Sequence, residues 1–437
     1  MHHAFTYSAS RRAFVKTAGA FGLALAAGWT TRAVAAPGDV VVLTSYPDEV
    51  VSRFEAAFEK ANRGYRLRIV WHAAHDTLPT LRRPGPEGID VYWSPSPRNF
   101  AVLKDEGLLN KLDIDRSGLP GRLGKTRIDD ADGYYAASEI AGYGFAVNPD
   151  YLKARGLPEP ADWTDLADPR YAGQVVLPNP GRVGFAPVMA DIPLQAFGWE
   201  RGWALWSAIV ANSTVTNAGG TFVGDDLASG RLGIGVSIDF FVNGAIAKGA
   251  PLRFIYPKHG GVNPAQVAIM AGAHNRDGAR AFVTFLLSEP GQKLLTHPDI
   301  RRLPVRPSVY TGLDASYHNP FAAASAGGYG YDSDRGVGRL ALVAALFDNV
   351  LAKQHDRLAA LWPQARAAGG KRGEAVEKLL SAVPISEADA DQPAWQQAFA
   401  NRLDDPQAEA AAASLERSWA AEADGRLQRA IKLLEQA

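Results

Sequence analysis

Leu232-Gly-Ile-Gly-Val-Ser-Ile-Asp-Phe-Phe241 reads as a buried strand that breaks abruptly into a helix. The strand ends at Asp239, and Phe240 to Lys248 resume with helical spacing. Asp239 thus stands where an N-cap carboxylate accepts the free backbone N–H groups of a first turn, unless it accepts from a ligand instead. The stretch is expected to return the chain from one lobe to another and to line the cleft between them.

Upstream, strands and helices alternate. Val40–Thr44 is an apolar strand, followed by Ser45-Tyr-Pro-Asp48, which offers an N-cap serine and an early proline to a helix carrying Val50, Val51, Phe54 and Phe58. Tyr65–Trp71 and Ile89–Trp93 read as two more strands, the second leaving through Ser94-Pro-Ser-Pro-Arg98. Such alternation predicts a mainly parallel sheet, whose ligands lie beyond the carboxyl ends of the strands. Ser45, Tyr46, Trp93, Ser94 and Ser96 fall at those ends.

Ser138–Asn148, an apolar strand punctuated by glycine, reads as the outward crossover and carries Tyr143. Gln174–Pro178 is a strand ending in Asn179-Pro-Gly-Arg-Val-Gly184, with a helix from Phe185 or Ala186. Arg182, Gly184 and the helix start can converge on an anion. An ordinary strand-to-helix turn with a solvated arginine has the same sequence signature. Gly220 and Thr221 close a polar loop that offers further donors, while Trp199, Trp203 and Trp206 share one helical face suited to a core. Past Leu303-Pro-Val-Arg-Pro307 strand signals vanish, and apolar residues recur only with helical spacing up to a final helix opening at Asp405-Pro406.

The totals bound the class. A chain of 437 residues with 47% hydrophobic and 21% charged residues is a globular protein of two or three domains. The first 35 residues hold Arg11, Arg12, Lys16 and Arg32 and no acid, so their removal leaves 42 of 46 basic residues against 46 acidic ones. That balance argues against nucleic-acid or anionic-membrane binding. The absence of cysteine excludes disulfides, thiolate metal sites and cysteine catalysis. Ser10-Arg-Arg-Ala-Phe-Val-Lys16, a short apolar run and Ala33-Val-Ala35 resemble a twin-arginine signal peptide over residues 1–35, which implies a soluble periplasmic protein. No nucleophile elbow and no H-E-x-x-H motif occurs, so the chain is not expected to be an enzyme.

Several separated stretches, Thr44-Ser-Tyr-Pro-Asp-Glu49, Asp90-Val-Tyr-Trp93, Trp163-Thr-Asp-Leu166, Leu177-Pro-Asn-Pro180, Ala228-Ser-Gly-Arg-Leu-Gly-Ile-Gly235 and Leu303-Pro-Val-Arg306, resemble extracellular solute-binding proteins of ABC importers. The resemblance is to the branch with ferric-ion, phosphonate, phosphoglycerate and thiamine binders, and covers roughly residues 38 to 307. It implies a type II periplasmic-binding-protein fold of the α/β class. Lobe one would comprise residues 37–141 and 242–307, lobe two residues 142–241, and an all-helical extension residues 308–437. It further implies a monomer that closes by a hinge on a small-molecule solute and delivers it to an inner-membrane permease with its ATPase. A periplasmic sensor for a signalling receptor would begin with the same closure.

Ferric binders of this family use an adjacent tyrosine pair near the second crossover, and here Phe240-Phe241 stand in that place. Phenyl rings cannot ligate iron; His72, His75, Glu139 and Tyr143 offer donors from which a metal site could be rebuilt, but a scattered histidine is more often a surface residue. No metal and no cofactor is therefore expected. Serines, Arg182 and glycine N–H groups suit a phosphate or phosphonate, while Tyr46, Trp93, Tyr143, Phe185 and Phe240 suit an organic body. The expected solute is a small phosphorylated or phosphonylated molecule, with Arg182 its main cationic contact and a vitamin such as thiamine or pyridoxal phosphate, or ferric ion, the alternative.

Overall fold

The computed structural model describes residues 38–83 and 88–436. The segment read as an export signal lies outside the described residues. Among those described, no helix is long and apolar enough to cross a membrane.

The chain opens with β1 (Asp39–Thr44), α1 (Asp48–Ala61), β2 (Arg66–Trp71), α2 (Ala74–Leu81), β3 (Val91–Ser94), α3 (Pro97–Asp105) and the short β4 (Leu109–Asn110). β1 lies between β2 and β3 and is parallel to both. Val40–Leu43 are fully buried, as a strand covered on both faces requires, while Val50, Val51, Phe54 and Phe58 give α1 one apolar face. A hairpin of β5 (Arg122–Leu123) and β6 (Thr126–Arg127) then precedes the long β7 (Tyr135–Val147).

Next come α4 (Pro149–Ala154), β8 (Val175–Pro178), α5 (Ala186–Phe197), α6 (Trp199–Asn212), β9 (Ser213–Thr216), α7 (Gly220–Ala228), β10 (Ile234–Ile238) and α8 (Asp239–Ala247). β11 (Arg253–Ile255) and β12 (Val262–Met270) complete a sheet ordered β2-β1-β3-β12-β7-β10-β8-β9, with β11 paired to β7 and β4 to β12. β7 is the spine of this arrangement. Its residues Tyr135–Gly142 pair with β12 in the first section of the sheet, and Tyr143–Val147 pair with β10 in the second.

The passage back differs from the expectation. After α8 the chain remains with the second section, because Arg253–Ile255 pair antiparallel with Val147–Phe145. It crosses only between Ile255 and Val262, running beside β7. Ile234–Ile238 end instead in a helix that packs beside β7 and β11. Two glycines let the crossing segments touch: a Cβ at Gly142 would lie 2.6 Å from the Tyr256 ring, and one at Gly144 would lie 2.3 Å from the Ile255 carbonyl oxygen.

Behind the first section lie α9 (Arg276–Leu287) and α10 (Glu289–Leu294). The remaining helices are α11 (Pro320–Ser325), α12 (Ser333–Val350), α13 (His355–Ala368), α14 (Gly370–Ser381), α15 (Glu387–Ala390), α16 (Pro393–Ala400) and α17 (Pro406–Glu435). From α12 onward they share one apolar core with the second section, in which Trp199, Trp203 and Trp206 of α6 pack with Leu346, Phe347 and Trp362, whereas Phe321 of α11 packs on the core of the first. The tryptophan stripe of α6 is thus core, as its spacing indicates.

The same carboxyl-terminal part also grips the first section. Thr126 Oγ1 donates to the Tyr331 carbonyl at 3.0 Å, the Arg127 N–H donates to Ser333 Oγ at 2.9 Å, and Asp334 pairs with Arg122 and Arg127. His318 stacks on the crossing residue Tyr256 with ring centroids 3.5 Å apart, and its Nε2 lies 2.6 Å from the Tyr329 hydroxyl.

Candidate functional site

Six helices follow directly on strands of the parallel segments: α1, α2, α3, α5, α7 and α8. None receives a hydrogen bond from an N-cap side chain. Elsewhere Asn148, Asn275, Asp332 and Asp405 cap α4, α9, α12 and α17. Helix starts without side-chain caps leave backbone N–H groups for another acceptor. The reading of Ser45 as a cap is corrected here. Pro47 occupies the N-cap position of α1, and Ser45 Oγ lies 2.8 Å from Ser94 Oγ, which donates to Ser96 Oγ at 3.4 Å.

A cleft of about 830 Å³ separates the start of α1 from α8 and is lined by Pro47, Glu49, Phe240, Gly244, Lys248 and Arg302, among others. Lys248 reaches across it to Glu49 at 3.1 Å, and Asn243 Nδ2 donates to the Arg301 carbonyl at 3.0 Å. Arg301 has a left-handed backbone, φ 50°, uncommon for a non-glycine residue. The bend there carries Arg302 inward.

Arg302 is the charged centre of the cleft wall. Its guanidinium lies 4.8 Å from the Tyr46 ring and 5.1 Å from the Phe240 ring, so one ring from each side of the cleft holds it. Its Nη1 pairs with Glu139, and both side chains are buried. Burial works against its charge, but Glu139, Tyr46 and Asp239 outweigh that and raise its hold on the proton. Burial, with Glu139 adding to it, likewise holds the Tyr46 phenol neutral. Sequence reading missed Arg302. The available signal was a charged Glu139 inside the apolar run Ser138–Asn148, which needs a cation somewhere.

Asp239 is not the cap of α8. Its Oδ2 accepts from the Gly142 N–H at 2.9 Å and from the Tyr256 hydroxyl at 3.0 Å, tying the helix start to both crossing segments. Burial raises its carboxyl to about 7 even though both bonds oppose the shift. Its neighbour Tyr143 is buried, paired with Ile238, and burial raises its phenol. Trp93 faces the core between Phe54 and Phe282, its Nε1 donating to Ser138 Oγ at 3.0 Å. Neither ring reaches the cleft in this conformation.

At the end of β8, Arg182 is 58% exposed and stands 3.9 Å from Asp348 of α12. Asp348 also accepts from Asn179 Nδ2 at 2.8 Å and pairs with Lys353 at 3.2 Å, so a carboxylate from the extension sits against this loop. Gly184 faces open space, and Phe185 packs on Phe241, itself packed on Phe240. Gly220 and Thr221 open α7, but their side chains lie outside the described residues, as does that of His75. Among the described residues no group of three or more metal-ligating side chains is found.

A profile described as bacterial extracellular solute-binding protein matches residues 89–322. The phosphoglycerate transport regulatory protein PgtC of Salmonella typhimurium is 28% identical over 323 residues, 72% of this chain and 78% of that protein. Among solved structures, the periplasmic binding protein AfuA of Actinobacillus pleuropneumoniae, with exogenous fructose-6-phosphate bound, gives a TM-score of 0.56 at 19% identity, covering 72% of this chain and 99% of that one. Iron-bound HitA from Pseudomonas aeruginosa gives 0.55 at 17% identity, covering 70% and 99%. At these identities the structural likeness establishes the fold: two α/β lobes joined by crossing strands, with extra carboxyl-terminal helices.

Proposed function

This chain belongs to the family of bacterial extracellular solute-binding proteins, and on that premise we propose that it is the periplasmic binding component of an ABC importer that captures a small phosphorylated or phosphonylated organic solute. The family is one of binders rather than enzymes. The observation that carries the choice of solute is the cleft itself, where the start of α8 and the buried Arg302 guanidinium meet beside the Phe240 ring, opposite a start of α1 whose first turn carries Asp48 and Glu49. Helix N–H groups and a guanidinium suit an anionic oxygen set, and the rings suit an organic body. The phosphoglycerate named for PgtC and the fructose-6-phosphate in AfuA support the same class. Closure of the lobes would be driven by contacts the solute makes only when α1 and α8 approach. Mass spectrometry of protein purified natively tests this directly. A co-purified phosphate or phosphonate is the expected result, and a ligand without either group refutes it.

A sensing role is the second reading, favoured by the regulatory designation of PgtC and by the additional surface of the carboxyl-terminal helices. Neighbouring genes for a permease and ATPase would favour import; a histidine kinase would favour sensing.

A further inference from the structure

Buried polar atoms in folded proteins nearly always have hydrogen-bond partners. In the cleft wall Arg302 Nε has none among the described residues, nor have Glu139 Oε2 and Tyr46 Oη, which are buried beside it and do not themselves line the cleft. The Arg302–Glu139 contact uses only Nη1 and Oε1, whereas an arginine and a carboxylate placed for mutual stabilisation can form two parallel bonds. One donor on Arg302 is left over, and the second oxygen of Glu139 has only the nearby Tyr46 hydroxyl to turn to. Tyr46 lies close enough to Glu139 for the carboxylate to disfavour the phenolate, so those two groups partly attend to each other. Arg302 Nε has no such neighbour, and Arg302 lines the cleft.

We propose that Arg302 and Glu139 form the head-group subsite for the solute, Arg302 donating through Nε to an anionic oxygen and Glu139 accepting from a nearby hydroxyl or ammonium. The proposal rests on reading the cleft as the solute site. It narrows the solute to an anion that carries a hydrogen-bond donor within a few bonds, such as a hydroxylated phosphate ester, and ranks bare phosphate esters below it. The geometry suits the task. The Tyr46 and Phe240 rings fix the plane of the guanidinium and keep water from it, which strengthens a bond to an anion. An unpartnered buried donor also discriminates strongly, since a ligand without the matching acceptor leaves it unpaired.

The experiment is calorimetry of the full chain with 3-phosphoglycerate, fructose 6-phosphate and methyl phosphate, with circular dichroism to check folding. Wild type should bind a hydroxylated ester at least about 10-fold more tightly than methyl phosphate. E139Q/R302Q, which replaces the ion pair by neutral amides, should lose about 100-fold for that ester, and R302K about 10-fold. A folded double variant within about threefold of wild type overturns the subsite and leaves the solute class standing. Wild-type protein that binds none of the three probes overturns the subsite's preference for a hydroxylated phosphate ester, and the natively co-purified ligand then decides the solute class. Should the double variant fail to fold, the Arg302 Nε–H resonance of wild-type protein decides: it should shift when the bound ester is added, and an unmoved resonance overturns the subsite.

Discussion

Arg339 on α12 pairs with Asp191 on α5 at 2.7 Å, and neither side chain is exposed to solvent. The pair joins the carboxyl-terminal helices to the second lobe at the base of their shared core. Arg339 also reaches Glu387 at 3.1 Å, and its guanidinium lies 5.5 Å from the Trp199 ring. Removing one member strands the other in a dry interior, so Arg339→Ala should cost about 3–5 kcal/mol, whereas R339M/D191L should cost far less. Urea unfolding of the three proteins measures this. Equal losses in single and double variants would refute a desolvation cost.

The buried Asp239 makes stability depend on pH. Its folded value of about 7 lies above the unfolded carboxylate value of about 3.9. A raised value contributes stability that is full below the unfolded value and lost as pH rises through about 7. Asp239→Asn removes this titration. The variant should therefore gain on wild type between about pH 4 and 7, by on the order of 4 kcal/mol at most, and gain little more above pH 8. Denaturation curves at four pH values test it, and a difference independent of pH contradicts it.

Arg182 is predicted to matter little to affinity. It is mostly solvated, and its nearest carboxylate, Asp348, belongs to the extension. Arg182→Ala should change solute affinity by less than about threefold and stability by less than about 1 kcal/mol. Calorimetry showing a loss of 30-fold or more would restore it as the main cationic contact.

Gly142→Ala should strain the hinge, because its Cβ would enter the Tyr256 ring while the backbone N–H is held by Asp239. A cost of about 1–3 kcal/mol is expected. Tyr256→Leu in the same chain should recover part of it, and thermal melts of the single and double variants report whether it does.

Ferric loading should give no visible phenolate-to-iron band. Phe240-Phe241 supply no oxygen ligands, and Tyr143 is buried with its phenol held neutral. A strong band on titration with ferric citrate would show that other tyrosines rebuild the site.

What could be read from the chain and what could not divide along the range of the interactions. The alternation around Val40–Leu43, the tryptophan stripe of α6 and the helix start at Asp405-Pro406 are set by local patterning and stand in the structure as read. The crossing at residues 256–261 was hidden because its proline and glycines resemble an ordinary loop; only pairing with β7 reveals it. Asp239 looks like a cap in sequence because its true partners, Gly142 and Tyr256, are distant along the chain. Arg302 looks solvated beside Arg301 until Glu139 and two rings from separate elements enclose it.

The helices after residue 308 touch both lobes: α12 is buried against α5, and Tyr331–Asp334 is bonded to the β5–β6 hairpin of the first. Two adjacent crossing strands alone allow both bending and twisting. A third tether away from that axis would limit the twist and shorten the arc through which the lobes could swing. An open ensemble so restricted would hold fewer conformations, and closing on a ligand would forfeit less entropy than in a two-strand hinge. The same tether sets a cost on opening, because wide separation must first release Asp334 from Arg122 and Arg127. Opening would in that case be sensitive to ionic strength through residues that do not line the cleft.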